Sequence, residues 1–341
     1  DIDWRRENSG DDMPISRRRF SSLAVTGAGL STLPGLATEA TQQPAYQISL
    51  AQWSLHRSFF GDSLSKGREY FGSALDNDPD SLLTGVLDPL DFARIAREEF
   101  AIGAIEYVNT FYFGHAGDDA YFDELRRRAD DQGVQSLLIM CDRLGSTGAS
   151  EVSERRQVVD NHRPWLDAAA RLGAHAIRVN AYGTGDRDAV AAQVADSLHQ
   201  LGEAAAPLDL DVLVENHGGL SSDAAWLAGV IKASDHDRVG TLPDFGNFRL
   251  SAWDAEEQMH YDRYQGVAEL MPYARAVSAK SYDFDEQGDE TTIDFARMMR
   301  IVTAAGYSGH VGIEYEGRRL SEFDGIKATQ KLLERIRRTL N

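Results

Sequence analysis

From residue 46 onward, eight apolar runs of five to eight residues alternate with longer stretches of helical periodicity. The runs lie at 46–53, 101–108, 134–141, 175–180, 211–216, 239–244, 276–280 and 311–315. Each is short and apolar throughout, the pattern of a strand buried on both faces. Between them, stretches such as 118–132, 151–172, 187–206, 223–233 and 293–305 are charged and rich in Ala and Leu, with apolar residues at helical spacing. Gly133, Gly173 and Gly306 stand where three of these helices should end. A last amphipathic stretch, 320–340, would close the structure. Strands alternating with helices predict a parallel sheet, and eight such units predict a single closed (β/α)8 barrel over residues 45–341. The segment 57–87 breaks the alternation. It is rich in Gly, Ser, Asp and Phe, and it predicts an irregular insertion beside the first strand, able to act as a lid.

The second half of the chain places polar groups at successive strand ends. VLVENHGG carries Glu215, GTLPDFGN carries Asp244, AVSAKSYDFD carries Ser278 and Lys280, and VGIEYEG carries Glu314. The intervals are 29, 34 and 36 residues, about one strand plus one helix each. In a barrel all strand carboxyl ends open on one face, so these groups should meet there. Three acids in a partly enclosed cup need a counter-charge, because a buried unpaired charge is costly. A divalent cation is the simplest one, and Mn, Mg or Co all accept such ligands. Gly218 and Gly219 after Glu215 would let backbone come close to a ligand. Ser278 and Lys280 share strand parity and face the same side. Glu316 reads as a solvated acid beside Glu314, and Lys280 reads either as a site cation or as a solvated loop lysine. Trp53 and His56 follow the first strand and could stack on or hydrogen-bond a sugar. Glu106, His217 and Asn247 are further candidates for the substrate-binding wall.

The net charge of −19 argues against nucleic acid or an anionic membrane as partner. The basic residues are 30 Arg and only 5 Lys, and acids are spread along the whole chain. That balance is expected of a protein from a high-salt environment. The single cysteine, Cys141, excludes an internal disulfide framework and reads as a buried structural thiol. Residues 1–44 read as a leader. Arg17 and Arg18, then Phe20, then a weakly apolar Ala-, Gly- and Ser-rich stretch give the order of a twin-arginine export signal. Its apolar stretch is far shorter than the ~20 residues of a membrane span. An extracytoplasmic protein is expected, with self-association left open.

On LVENHGG, LPDFGNF, VSAKSYDFD and VGIEYEG, the chain resembles the sugar phosphate isomerase/epimerase family, the xylose isomerase-like TIM barrels, over about residues 46–338. That superfamily also holds ketose epimerases, inosose dehydratases and endonuclease IV-type repair enzymes. The resemblance implies a divalent ion bound through a Glu, an Asp, a His and a Glu at successive strand ends. Glu215, Asp244 and Glu314 match three of these positions. Ser278 stands where the His is usual, so water, substrate or His217 completes the shell, or the metal is lost.

The resemblance implies a metal-dependent sugar isomerase or epimerase acting by proton abstraction beside a carbonyl. Glu215 and Glu314 would form the acid/base pair, and Lys280 would stabilise developing negative charge. A free sugar is favoured over a phosphorylated one, because no Gly-rich phosphate loop is present. Two other readings remain open. One is a lyase on an oxidised sugar or glycoside; the other is a sugar-binding barrel without catalysis.

Overall fold

The computed structural model describes residues 44–252 and 255–340. The expected export leader, with Arg17, Arg18 and Phe20, lies outside the described residues. The eight expected runs all form strands: β1 Gln47–Ala51, β2 Ala104–Val108, β3 Gln135–Met140, β4 Ala176–Asn180, β5 Asp211–Glu215, β6 Val239–Leu242, β7 Val277–Ser281 and β8 His310–Tyr315. All are parallel, in the order β6-β5-β4-β3-β2-β1-β8-β7. β2 and β4 are buried at every residue, as continuous apolar runs require. No helix among the described residues is long and apolar enough to cross a membrane.

Between β6 and β7 the barrel closes by single bridges, Thr241 to Ala274 and Asp244 to Ser278. β6 ends at Leu242, two residues before the expected end. Pro243 has no N–H to continue a ladder, but its carbonyl accepts from Ser278 N at 3.0 Å. The seam therefore lies directly under two candidate site residues.

Other boundaries also shift for local reasons. β1 stops at Ala51 because Gln52–Leu55 turns into a 3-10 helix. β2 starts only at Ala104, because Ala101 sits at φ +54° and caps the helix Phe92–Phe100. That helix and another at Arg263–Leu270 were not anticipated. The second had a readable start: Asp262, with Gln265 three residues on, accepts from Tyr264 N and Gln265 N. The segment 57–87 is not irregular. It folds into the short helices His56–Phe60 and Arg68–Asn77, with a 3-10 turn at Gly61–Lys66 between them and another at Pro79–Leu82 after them. Its phenylalanines bind it to the barrel: Phe60 stacks on Phe111 with centroids 4.6 Å apart and meets Phe71 edge-on at 4.9 Å.

Candidate functional site

Strand parity aims one set of side chains inward at the carboxyl ends. β7 and β8 pair Lys280 with Glu314 and Ser278 with Gly312. β4 and β5 pair Asn180 with Glu215. Above these residues opens a cavity of about 960 Å³, lined among others by Trp53, Arg178, Tyr182, His217, Asn247 and Lys280.

Glu314 lines the cavity; Glu215, Asp244 and Glu314 are all buried, and one carboxylate oxygen of each lies within 4.8 Å of the others. Their surroundings are built in detail. Asn216 donates to Asp244 O at 3.0 Å and accepts from Asp244 N at 2.8 Å, so a side chain replaces the ladder that β5 and β6 lack here. Asp244 Oδ1 accepts from the backbone of Gly246 and Asn247, both at 2.7 Å. Asn247 donates to Glu215 Oε1 at 2.9 Å. Gly218, at φ +96°, and Gly219, at φ +59°, turn the chain after His217 as only glycine does readily.

Ser278 Oγ reaches both Asp244 Oδ2, at 2.7 Å, and Glu314 Oε2, at 3.0 Å. A hydroxyl carries one proton, so it cannot donate in full to both. Lys280 is no solvated loop residue: it is 2% exposed, on β7, with Nζ 2.7 Å from Glu314 and 3.1 Å from Glu316. Burial opposes its charge, but Glu314 and Glu316 hold its pKa well above the usual value. Glu316 is likewise no bystander. It lines the cavity, accepts from Trp53 Nε1 at 2.6 Å, and is held at about 2, against burial, by Lys280.

The charges around the cluster do not balance. Arg178 sits 2.6 Å from Asp142 and 2.8 Å from Glu215, yet neither Arg178 Nε nor Glu215 Oε2 finds an aligned hydrogen bond. Asp244 has no cation in ion-pair contact among the described residues. Burial pushes Glu215 and Asp244 up to about 7, against Arg178 for the first and Lys280 for the second. Three clustered oxygen donors, a buried carboxylate oxygen without an aligned partner and an excess of negative charge fit a hard divalent cation. His217 stands outside that group: its Nδ1 meets Tyr182 Oη at 2.6 Å.

The remaining expected residues separate by depth. Trp53 lines the cavity. His56 stacks behind it, with centroids 5.0 Å apart, and its Nδ1 meets Trp53 O at 2.7 Å. Glu106 lies inside the barrel, 1% exposed, where Ser49 donates to it at 2.6 Å and burial lifts it to about 7. Gly312 opposite has no side chain for a reason: a Cβ there would come within 2.5 Å of Glu106 Oε1. Cys141 is buried, and burial raises its thiol further, consistent with a structural role. Arg178, Asp142 and Tyr182 were not anticipated. Arg178 left a trace, a lone charge inside the apolar run HAIRVN.

Residues 95–339 match the model of a family described as xylose isomerase-like TIM barrel. A 75-residue stretch is 36% identical to a C-glycoside deglycosidase alpha subunit from Arthrobacter globiformis, covering 21% of each chain. The matched stretches span 21% and 13% of the length of the curated relatives. Among solved structures, a 3-keto-D-glucoside 4-epimerase from E. coli superposes with a TM-score of 0.56 at 20% identity, over 73% of this chain and 94% of that one. A xylose isomerase-like TIM barrel protein from Mycobacterium smegmatis, in complex with magnesium, gives 0.56 at 19% identity over 74% and 89%.

Proposed function

The chain belongs to the xylose isomerase-like TIM barrel family, and from that premise we propose that it is a divalent-metal-dependent isomerase or epimerase of a free sugar or sugar derivative. The observation that carries this reading is the buried cluster of Glu215, Asp244 and Glu314, which meets a sugar-sized cavity at Glu314. When bound, a divalent ion held by these three carboxylates supplies Lewis acidity toward substrate oxygens. Glu215 is the carboxylate that takes a proton from the carbon beside the substrate carbonyl. Glu314 is the second carboxylate at the reacting carbons. Return of the proton to the opposite face gives an epimer, and return to the neighbouring carbon gives an isomer. Lys280 Nζ, fixed between Glu314 and Glu316, offers positive charge to the oxygen that gains electron density. Trp53, held by His56 and Glu316, provides an apolar face for the sugar ring.

The test is solvent-deuterium incorporation into ketoses and 3-oxo-glycosides with Mg or Mn present. Deuterium at the carbon beside the carbonyl is expected with the parent and not with Glu215→Gln. A parent protein that exchanges none of a broad panel would sink the reading.

A second reading keeps the proton abstraction and changes the step after it. Electrons from the broken C–H bond expel a substituent two carbons from the carbonyl, which leaves with its bonding pair. The likeness to a deglycosidase subunit favours it. Mass analysis separates the two, because an isomerase conserves the substrate mass. Export through the twin-arginine route is proposed on Arg17 and Arg18. Changing both to Lys should retain the protein in the cytoplasm.

A further inference from the structure

Beside the central cavity lies a smaller one of about 270 Å³. Asp142, Arg143, Tyr182 and His217 line both, so the two adjoin. Its own walls are Cys141, Leu144, Gly145 and Asn180, with His162 closing one side. No step of the reaction proposed above uses this space. Its size sets what it can take: a cavity of ~150 Å³ holds benzene, so this one has room for one substituted aromatic ring.

His162 shows what chemistry the pocket recognises. It lies on the helix Val152–Leu172 and is 3% exposed. Its Nδ1 is 2.7 Å from Val158 O. A carbonyl only accepts, so Nδ1 carries the proton and Nε2 is left as an acceptor. Nε2 has no hydrogen-bond partner among the described residues. Burial lowers the pKa of the ring to about 4, so the imidazole is neutral near pH 7. His162 lines the pocket, so a ligand hydroxyl there can donate to Nε2.

We propose that this side pocket is a subsite for the aglycone of a glycoside: a small aromatic group whose hydroxyl donates to His162 Nε2 while its sugar occupies the central cavity. The word aglycone rests on the sugar reading of the central cavity; the pocket's preference for a hydroxylated ring does not. Cys141, Leu144 and Gly145 offer apolar surface to the face of a ring.

Calorimetry with three probes tests the subsite. Hydroquinone should bind the parent protein about tenfold more tightly than 1,4-dimethoxybenzene, which lacks the donor. His162→Phe should erase that preference, and Leu144→Phe, which narrows the pocket from its apolar wall, should weaken hydroquinone by about tenfold. Methyl β-D-glucoside should be unaffected by either change. Equal affinity for hydroquinone and its dimethyl ether in the parent would overturn the proposal, as would hydroquinone binding that neither variant alters. Hydroquinone binding that depends on His162, with no glucoside bound, would uphold the subsite while removing the sugar reading of the central cavity.

Discussion

Asp142, after β3, and Asp244, after β6, are both strand-end aspartates in the same barrel mouth, and they live under opposite electrostatics. Asp142 accepts from Arg178 at 2.6 Å and from Asn180 at 2.7 Å, and despite burial it is held at about 2. Asp244 faces Glu215 and Glu314, and burial lifts it to about 7. The β3–β4 side is a wall in which an acid meets its own cation. On the β5–β8 side four acids share Lys280 and one edge of Arg178, and Asp244 has no ion pair among the described residues. The difference shows why counting carboxylates does not locate a site: a matched acid is architecture, and an unmatched cluster asks for a ligand.

The largest expected effect breaks that comparison directly. Glu215→Gln with Asp244→Asn should abolish stoichiometric Mn binding and lower turnover by at least ~10³, with the fold intact, because neutral amides relieve repulsion in the metal-free protein. Asp142→Asn should do the reverse. It should keep the metal and lower unfolding stability by about 1–3 kcal/mol, by weakening the pairing of buried Arg178. Metal analysis and urea unfolding read both. Loss of metal in Asp142→Asn would erase the distinction between the two sides.

Next in size is Lys280. Its Met variant should lose ~10²–10³ in turnover if the ammonium stabilises charge in the transition state. The same change removes a cation from beside the three acids, so Mn should bind more tightly, not less. Turnover within about threefold of the parent would reduce Lys280 to a tie between Glu314 and Glu316.

A smaller effect comes from pH. Glu215 and Asp244 sit at about 7 in the folded, metal-free protein, above the usual carboxyl range. Below that pH they hold protons that a metal must displace. Apparent metal affinity should therefore fall as pH drops from 8 to 6, by about tenfold for each carboxyl involved. The Glu215→Gln variant should show a shallower slope. Affinity independent of pH over this range would mean that the metal does not bind at these carboxylates.

The sequence made the β5–β8 side readable and left the β3–β4 side obscure. Glu215, Asp244 and Glu314 each lie at or near the end of an apolar run, so periodicity brings them to one rim, and the resemblance adds Ser278. Glu316 and Lys280 look solvated in one dimension, because each is explained by the other across two strands. Arg178 stands in its strand as an anomaly, and only the fold shows that Asp142 and Glu215 share it. His162 lies inside a long helix, where its bond to Val158 and its place against a cavity cannot be read. The folded segment 57–87 escaped for a related reason: its order comes from aromatic contacts to Phe111 and Trp53, not from its own periodicity.

The smallest expected effect has an informative sign. Ser278 occupies the position where the resemblance expects a histidine ligand, and its hydroxyl reaches Asp244 and Glu314. If it is a spacer, it serves the metal-free protein by donating to carboxylates that have too few cations. Ser278→Ala would then cost the metal-free state about 1 kcal/mol and leave the loaded state nearly unchanged. Binding draws on that difference, so Mn affinity should rise about fivefold. If Ser278 is instead a ligand, the same substitution removes a donor and affinity must fall. Calorimetry at pH 8, where proton competition is weakest, gives the sign. A fall would restore Ser278 to the metal shell and make the β6–β7 seam, where Asp244 bridges Ser278, part of the site itself.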